Sequence, residues 1–118
     1  MSKNMKRCKD LIIIELEDLM VDIEDLLDIN QQKNENSQIT DYVYKENRVT
    51  LRDEINALKT FRKTVYNLNP DNFATSEEIF DYLENKFERI VEEAGYGKGI
   101  LYFVKRKLNK ISKYLCLT

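Results

Sequence analysis

Apolar residues recur every three or four positions through most of this chain, and little interrupts the pattern. The 118 residues include one proline and three glycines, so positions that break helices are rare. No segment alternates apolar and polar residues for long enough to indicate a β-strand. These features predict an all-α fold of long helices, each burying one apolar face.

The spacing predicts four helices, at about 10–29, 41–68, 76–94 and 100–115. Helix 1 has a regular apolar seam, formed by Ile12, Leu16, Leu19, Ile23 and Leu26. The corresponding faces of the other helices include Leu51, Ile55, Leu58, Phe61, Val65 and Leu68, then Ile79, Phe80, Leu83, Phe87, Ile90, Val91 and Ala94, and last Leu101, Val104, Leu108, Ile111 and Leu115. Four amphipathic helices with short links predict an antiparallel four-helix bundle.

The boundaries between these helices follow local signals. Asn69 precedes the single proline, which ends helix 2, and Thr75 with Glu78 forms a capping box for helix 3. The polar segment 30–37 is predicted to be a loop, and residues 1–9 a frayed N-terminal tail. The length fits one domain, residues 1–118.

The cysteines and the apolar runs bear on the compartment. The two cysteines, Cys8 and Cys116, lie near the two ends, and we expect both to be reduced thiols, with a bridge between them as the alternative. Acidic residues interrupt the apolar run at 11–14 before it reaches the length of a secretory signal or a membrane span. We therefore expect a cytoplasmic protein with no membrane contact.

No residues form a recognisable catalytic motif, and we expect no enzyme activity, no cofactor and no bound metal. The chain has no histidine, which is the commonest general base and zinc ligand. Glu84 and Glu88 have the helical spacing of the carboxylate pairs that hold magnesium in all-α pyrophosphohydrolases of the MazG kind. Glu15 with Asp18, and Asp22 with Asp25, are spaced in a similar way. Metal binding needs carboxylates that point into the bundle, whereas these fall on the polar sides of their helices.

Charge is segregated by helix, although the net charge is only −2. Helices 1 and 3 are acidic on their polar faces, and helices 2 and 4 are basic. In a bundle in which each acidic helix lies beside basic ones, the flanking charges would pair across the seams and help to fix the helix order. Each exposed pair contributes little, about 0–1 kcal/mol.

A first candidate site lies on the acidic face of helix 1. Ile14 and Val21 are one heptad apart and far from the apolar seam, and acidic residues surround them. Apolar residues inside a charged rim are typical of a protein contact. The predicted partner-binding residues are Ile14, Glu17, Asp18, Val21, Asp25 and Asp28.

A second candidate site uses the basic faces of helices 2 and 4. Basic side chains mixed with aromatic ones suit phosphate contacts and base stacking. The acidic isoelectric point of about 5.3 argues against general nucleic-acid binding. The predicted anion-binding residues are Arg48, Arg52, Lys59, Lys63, Tyr102, Arg106, Lys110 and Lys113.

The sequence therefore favours a non-enzymatic interaction protein of the inhibitor or adaptor type, which docks a charged helical face onto a macromolecule. The partner would be another protein or a second copy of this chain. A nucleotide or nucleic-acid binder is the first alternative, and a MazG-like metal-dependent hydrolase the second. Frequent Lys, Asn, Ile and Glu favour an AT-rich genome, which fits a small accessory protein of a bacterium or its phage.

Overall fold

The computed structural model describes residues 3–113, with side chains from Met5 onward. Residues 3–113 are all-helical apart from turns and links. The four α-helices are α1 (Lys3–Glu35), α2 (Asp41–Tyr66), α3 (Ser76–Ala94) and α4 (Gly99–Ile111), with a short 3-10 helix at Pro70–Asn72. The predicted all-α bundle of four helices is confirmed.

The helix starts follow the capping signals of the sequence. The hydroxyl of Thr40 accepts a hydrogen bond from the amide of Val43 at the start of α2. Thr75 does the same for the amide of Glu78 at the start of α3. At the end of α3, Gly95 takes a left-handed conformation with φ of 72°, which turns the chain toward α4.

Helix α1 is longer than predicted at both ends. Residues 3–9, expected to be a frayed tail, are helical, because Met5 and Cys8 extend the buried seam N-terminally from Ile12. Residues 30–35, expected in a loop, are helical too, and α1 ends only before Ser37, whose φ is 59°. The predicted end of helix 4, including Leu115, lies outside the described residues.

Contacts at both ends show that α1 and α2 run antiparallel. Near the start of α1, the Lys9 ammonium donates to the carbonyl oxygens of Tyr66 and Leu68, at 2.7 and 2.9 Å. Near its end, Asn34 donates to the carboxylate of Asp41 at 2.9 Å. Early α1 therefore lies beside late α2, and late α1 beside early α2.

Between α1 and α2 lies Asn30, which is the only buried polar or charged residue among those described. Its amide nitrogen donates to the Tyr44 carbonyl at 3.1 Å, and its oxygen accepts from the Asn47 amide at 3.0 Å. The hydrogen bonds of this buried asparagine can form in only one alignment of the two helices. Asn30 therefore fixes the register of α1 against α2.

The helices pack in a ring in which acidic and basic helices alternate. Contacts join α1 to α2, α2 to α3, α3 to α4 and α4 to α1. Ion pairs span three of these four seams: Arg62 to Glu17 at 3.9 Å, Lys105 to Glu88 at 3.8 Å, and Lys107 to Glu15 at 3.1 Å. Because acidic and basic helices alternate along the chain, oppositely charged side chains of neighbouring helices form ion pairs in the described bundle.

The buried core occupies only one end of the long α1–α2 pair. The buried apolar residues of α1 end at Ile23, and those of α2 begin at Ile55. The centre of the core is a contact between Phe61 and Phe87, whose ring centroids are 4.8 Å apart. We call the rest of the pair, residues 24–35 with 41–54, the distal arm.

Some predicted core residues are not buried. Leu26 is 49% exposed, because it lies in the distal arm, where neither α3 nor α4 covers α1. Ala94 is also exposed, since it is the last residue of α3. Leu19, Leu51, Ile90 and Leu101 are partly buried at the edges of the core.

The expectation of a reduced thiol at Cys8 is wrong, because Cys8 is disulfide-bonded. Its side chain is only 3% exposed, within the core at the start of α1. Cys116 lies outside the described residues. The cytoplasmic localisation stays a prediction.

Replacing Asn30 by alanine should lower the free energy of unfolding by about 1–3 kcal/mol, because the hydrogen bonds that Asn30 makes with Tyr44 and Asn47 contribute about 0.5–1.5 kcal/mol each. Urea denaturation followed by circular dichroism measures the change. Gln32→Ala is the matched control, since Gln32 is exposed two residues further along α1. Equal stabilities of the two variants would contradict the role assigned to Asn30.

Candidate functional site

The outer face of α1 presents the predicted partner-binding residues together. Ile14 and Val21 are 54% and 55% exposed, which is high for large apolar side chains. At 100° per residue they lie two turns apart on one side of α1, opposite the buried seam. The exposed acidic side chains on the same side are Glu17, Asp18, Asp25 and Asp28.

Most of these acidic side chains form no ion pair within the described residues. Among residues 3–113, Asp18, Asp25 and Asp28 form no ion pair, whereas Glu17 lies 3.9 Å from Arg62. That pair is long and half-exposed, so it contributes little to stability. The face therefore keeps most of its negative charge after folding.

The structure separates the predicted anion-binding residues into two groups. α2 and α4 occupy opposite corners of the ring, so their basic faces do not form one surface. On α2, Arg48 and Arg52 line a concavity shared with the acidic side chains of Glu24 and Asp28. Those carboxylates oppose the binding of a phosphate there.

The basic face of α4 is the better-formed anion site. Tyr102 and Phe103 are 62% and 52% exposed, and the Arg106 guanidinium lies over the Tyr102 ring, 5.8 Å from its centroid. Phe103 and Arg106 line a shallow concavity with Lys110 and Lys113. Two aromatic rings beside several cations suit a phosphate with a stacked base.

Two members of the carboxylate pairs contact lysines of α4. Within the described part of the chain, no group of three or more acidic or cysteine side chains is placed to hold a metal ion. Glu15 instead accepts a hydrogen bond from the Lys107 ammonium at 3.1 Å, and Glu88 pairs with Lys105. No helix among the described residues is both long and apolar enough to cross a membrane.

One surface was missed by sequence reasoning. A groove runs along the distal arm. It lies on the same side of α1 and α2 that is buried in the core of the bundle, and its apolar side chains are open to solvent. Leu26 and Ile29 are 49% and 45% exposed there. The residues that line the groove are Leu26, Ile29, Asn30, Lys33, Ile39, Asn47, Thr50 and Leu51.

The sequence does show the apolar residues of this groove, but their helical spacing predicts a buried core. Helical spacing shows which side of a helix is apolar, but it does not show how far along the helix a neighbour reaches. α3 and α4 have 19 and 13 residues, against 33 for α1. At 1.5 Å per residue they are about 28 and 20 Å long, against about 50 Å for α1.

No protein-family model, curated protein or solved structure matches this chain.

Glu54 lies at the border between the core and the distal arm. Partial burial raises the pKa of its carboxyl group above the ordinary value of 4.5, because desolvation disfavours the ionised form. The folded chain therefore holds this proton more tightly than the unfolded chain does. Ionised Glu54 consequently lowers stability at neutral pH.

Glu54→Gln should raise the melting temperature at pH 7, because the amide carries no charge to desolvate. The gain should shrink as the pH falls toward 4.5 and below, where the wild-type carboxyl is protonated. Thermal denaturation across this pH range measures it. Glu46→Gln, at an exposed position of the same helix, is the control. A gain that does not depend on pH would contradict this explanation.

Proposed function

We propose that this chain is a non-enzymatic interaction protein, of the inhibitor or adaptor type, which docks the outer face of α1 onto a basic surface of another macromolecule. The observation that carries the proposal is the exposure of Ile14 and Val21 inside an acidic rim. An apolar centre supplies affinity once it is desolvated, and a charged rim selects the partner and speeds association.

The charge pattern of α1 supports a basic partner. The acidic residues on the side toward α4 are partly satisfied within the bundle, as the pair between Glu15 and Lys107 illustrates. Those on the outer side, Asp18, Asp25 and Asp28, have no ion pair within residues 3–113. Negative charge left over after folding attracts positive charge from elsewhere, with a range of about 8–10 Å at physiological salt.

Rigidity supports the same proposal. The roughly five turns of α1 from Met5 to Ile23, which carry Ile14 and Val21, are anchored by buried residues on the opposite side. A face on such a helix is pre-organised, so little conformational entropy is lost when a partner binds.

The double substitution Ile14→Arg with Val21→Arg should abolish capture of a basic partner, because it replaces the apolar centre by charges that the partner repels. Affinity purification from the source cell with quantitative mass spectrometry measures partner recovery. For a protein that the wild-type chain enriches, the recovered amount should fall at least tenfold. Helix content, followed by circular dichroism, should not change, since both side chains are exposed.

The matched control is Val49→Arg, which introduces the same charge at a position 60% exposed on α2. It should leave partner recovery at the wild-type level. Recovery that survives the double substitution on α1, or is lost equally with Val49→Arg, would refute docking through the α1 face.

A second function is favoured by the stacked pair of Arg106 and Tyr102 on α4. Here the chain would bind a nucleotide or single-stranded nucleic acid through the aromatic rings and cations of this helix. The acidic faces of α1 and α3 would limit such binding to α4, in keeping with the low isoelectric point.

Arg106→Glu with Lys110→Glu should remove binding of a fluorescent single-stranded oligonucleotide measured by anisotropy at low salt. Wild-type affinity should fall steeply as salt rises, because phosphate contacts release counterions. Lys59→Glu with Lys63→Glu makes the same charge change on α2 and is the control. Absence of wild-type binding at low salt would eliminate this function.

A further inference from the structure

The outer faces of α1 and α4 carry complementary chemistry. On α1, the exposed apolar pair of Ile14 and Val21 lies among acidic side chains. On α4, the exposed aromatic pair of Tyr102 and Phe103 lies among basic side chains. An apolar centre with an acidic rim fits an aromatic centre with a basic rim. The chain therefore carries, on α4, a basic surface of the kind that the α1 face would bind.

The opposite charges of these two faces are left over after folding. Among the described residues, Asp18 on α1 and both Arg106 and Lys110 on α4 form no ion pair, and all three side chains are exposed. The flanks by which the same two helices face each other are already paired, through Glu15 and Lys107 at 3.1 Å. The outer faces can therefore offer to a neighbour the kind of pairing that the fold uses once.

The fold also defines how residues of α1 and α4 lie relative to each other along the bundle. Because Glu15 contacts Lys107, these two residues lie at the same level. An antiparallel α4 then begins, at Gly99, level with Ile23, and the buried seam of α1 ends at Ile23. Each step forward on α1 therefore corresponds to one step backward on α4.

In this register the outer residues of the two helices match in kind. Asp18, three residues beyond Glu15, lies within about 3 Å, along the axis, of the level of Arg106. Val21, three residues further, lies within about 1.5 Å of the level of Tyr102. Asp18 and Val21 are three residues apart and Tyr102 and Arg106 four, so each of these two pairs lies on one side of its helix.

We propose that the basic surface bound by the α1 face is the outer face of α4 on a second copy of this chain, with the two bundles side by side and their axes parallel. This inference rests on the proposed function and names its partner. Rotation about an axis parallel to the helices changes no level, so α1 of one copy meets α4 of the next in the register of the fold. In this contact Asp18 pairs with Arg106, and Val21 packs on Tyr102.

The contact joins two different surfaces, so the assembly is head-to-tail. The copies at its two ends keep one free face each unless the assembly closes into a ring. The formal net charge of each chain is only −2, so the copies repel each other weakly. The assembly therefore grows beyond two chains as the protein concentration rises.

Light scattering after size-exclusion chromatography of the full chain tests the assembly. From about 10 to 200 µM protein, the mass should rise to more than twice the 14.1 kDa of one chain. Ile14→Gln with Val21→Gln removes the apolar centre of α1, and Arg106→Gln with Lys110→Gln removes cations of α4. Each double variant should weaken association by about tenfold or more. Circular dichroism should show unchanged helix content, since all four side chains are exposed.

Mixing these two double variants tests the head-to-tail contact. The first variant keeps its α4 face and the second keeps its α1 face, so one intact contact can form between them. An equimolar mixture should give a complex of one chain of each variant, with twice the mass of one chain and no further growth. A contact that joins each face to the same face of another copy predicts no such complex.

A charge exchange tests the register. Asp18→Arg should weaken association, because it places two cations together. Adding Arg106→Glu to the same chain should restore association, since the pair then re-forms with its charges exchanged. An arrangement that does not place residues 18 and 106 together predicts no restoration.

The controls are Val49→Gln and Lys59→Gln with Lys63→Gln, which make the same kinds of change at exposed positions of α2 and should leave association unchanged. A wild-type chain that stays monomeric at all concentrations overturns this inference, whereas the proposed function fails only if partner recovery survives the arginine substitutions on α1. A mass that stops at two chains, a mixture that forms no complex, or a charge exchange that restores nothing also overturns the inference.

Discussion

The antiparallel contact of α1 with α2 determines where every other part of the structure can lie. It is held at one end by the Lys9 ammonium on two carbonyl oxygens at the end of α2, and at the other by Asn30 and Asn34. These polar contacts are satisfied in one register only. Apolar packing alone tolerates small shifts between helices, whereas an unpaired buried amide does not.

The alternation of acidic and basic helices also helps to specify which helices lie side by side. Each acidic helix lies between two basic ones, and three of the four seams carry an ion pair. None of these pairs stabilises the fold much, since all are at least one-quarter exposed. Their effect is instead to disfavour ring orders in which two acidic or two basic helices lie side by side. Acidic charge without an ion pair in the described residues remains on the outer side of α1 and along α3.

Local chemistry made α3 and the start of α2 predictable, whereas the ends of α1 were not. Thr75 with Glu78, and the glycine after Ala94, are short-range signals that do not depend on the rest of the fold. The helical state of residues 30–35 depends instead on Asn30 reaching α2, a contact 14 and 17 residues away in sequence. Polar residues without an apolar period resemble a loop when that contact is unknown.

The candidate surfaces divide in the same way. Exposure of Ile14 and Val21 followed from their positions on the helical wheel, because the wheel determines the side of a helix. The groove at Leu26 did not follow, because it depends on the relative lengths and positions of separate helices. The separation of Arg52 from Arg106 likewise depends on the ring order, which no local pattern contains.

The uneven distribution of the core also divides the chain into regions of different local stability. Backbone amides of α1 before Ile23 and of α2 after Ile55 belong to helices whose apolar faces are buried in the core, so their hydrogen exchange requires the whole bundle to open. In the distal arm the helices hold each other through Asn30 and a half-covered apolar strip. There, separation of the two helices exposes little apolar surface, and exchange proceeds by opening of the arm while the bundle stays folded.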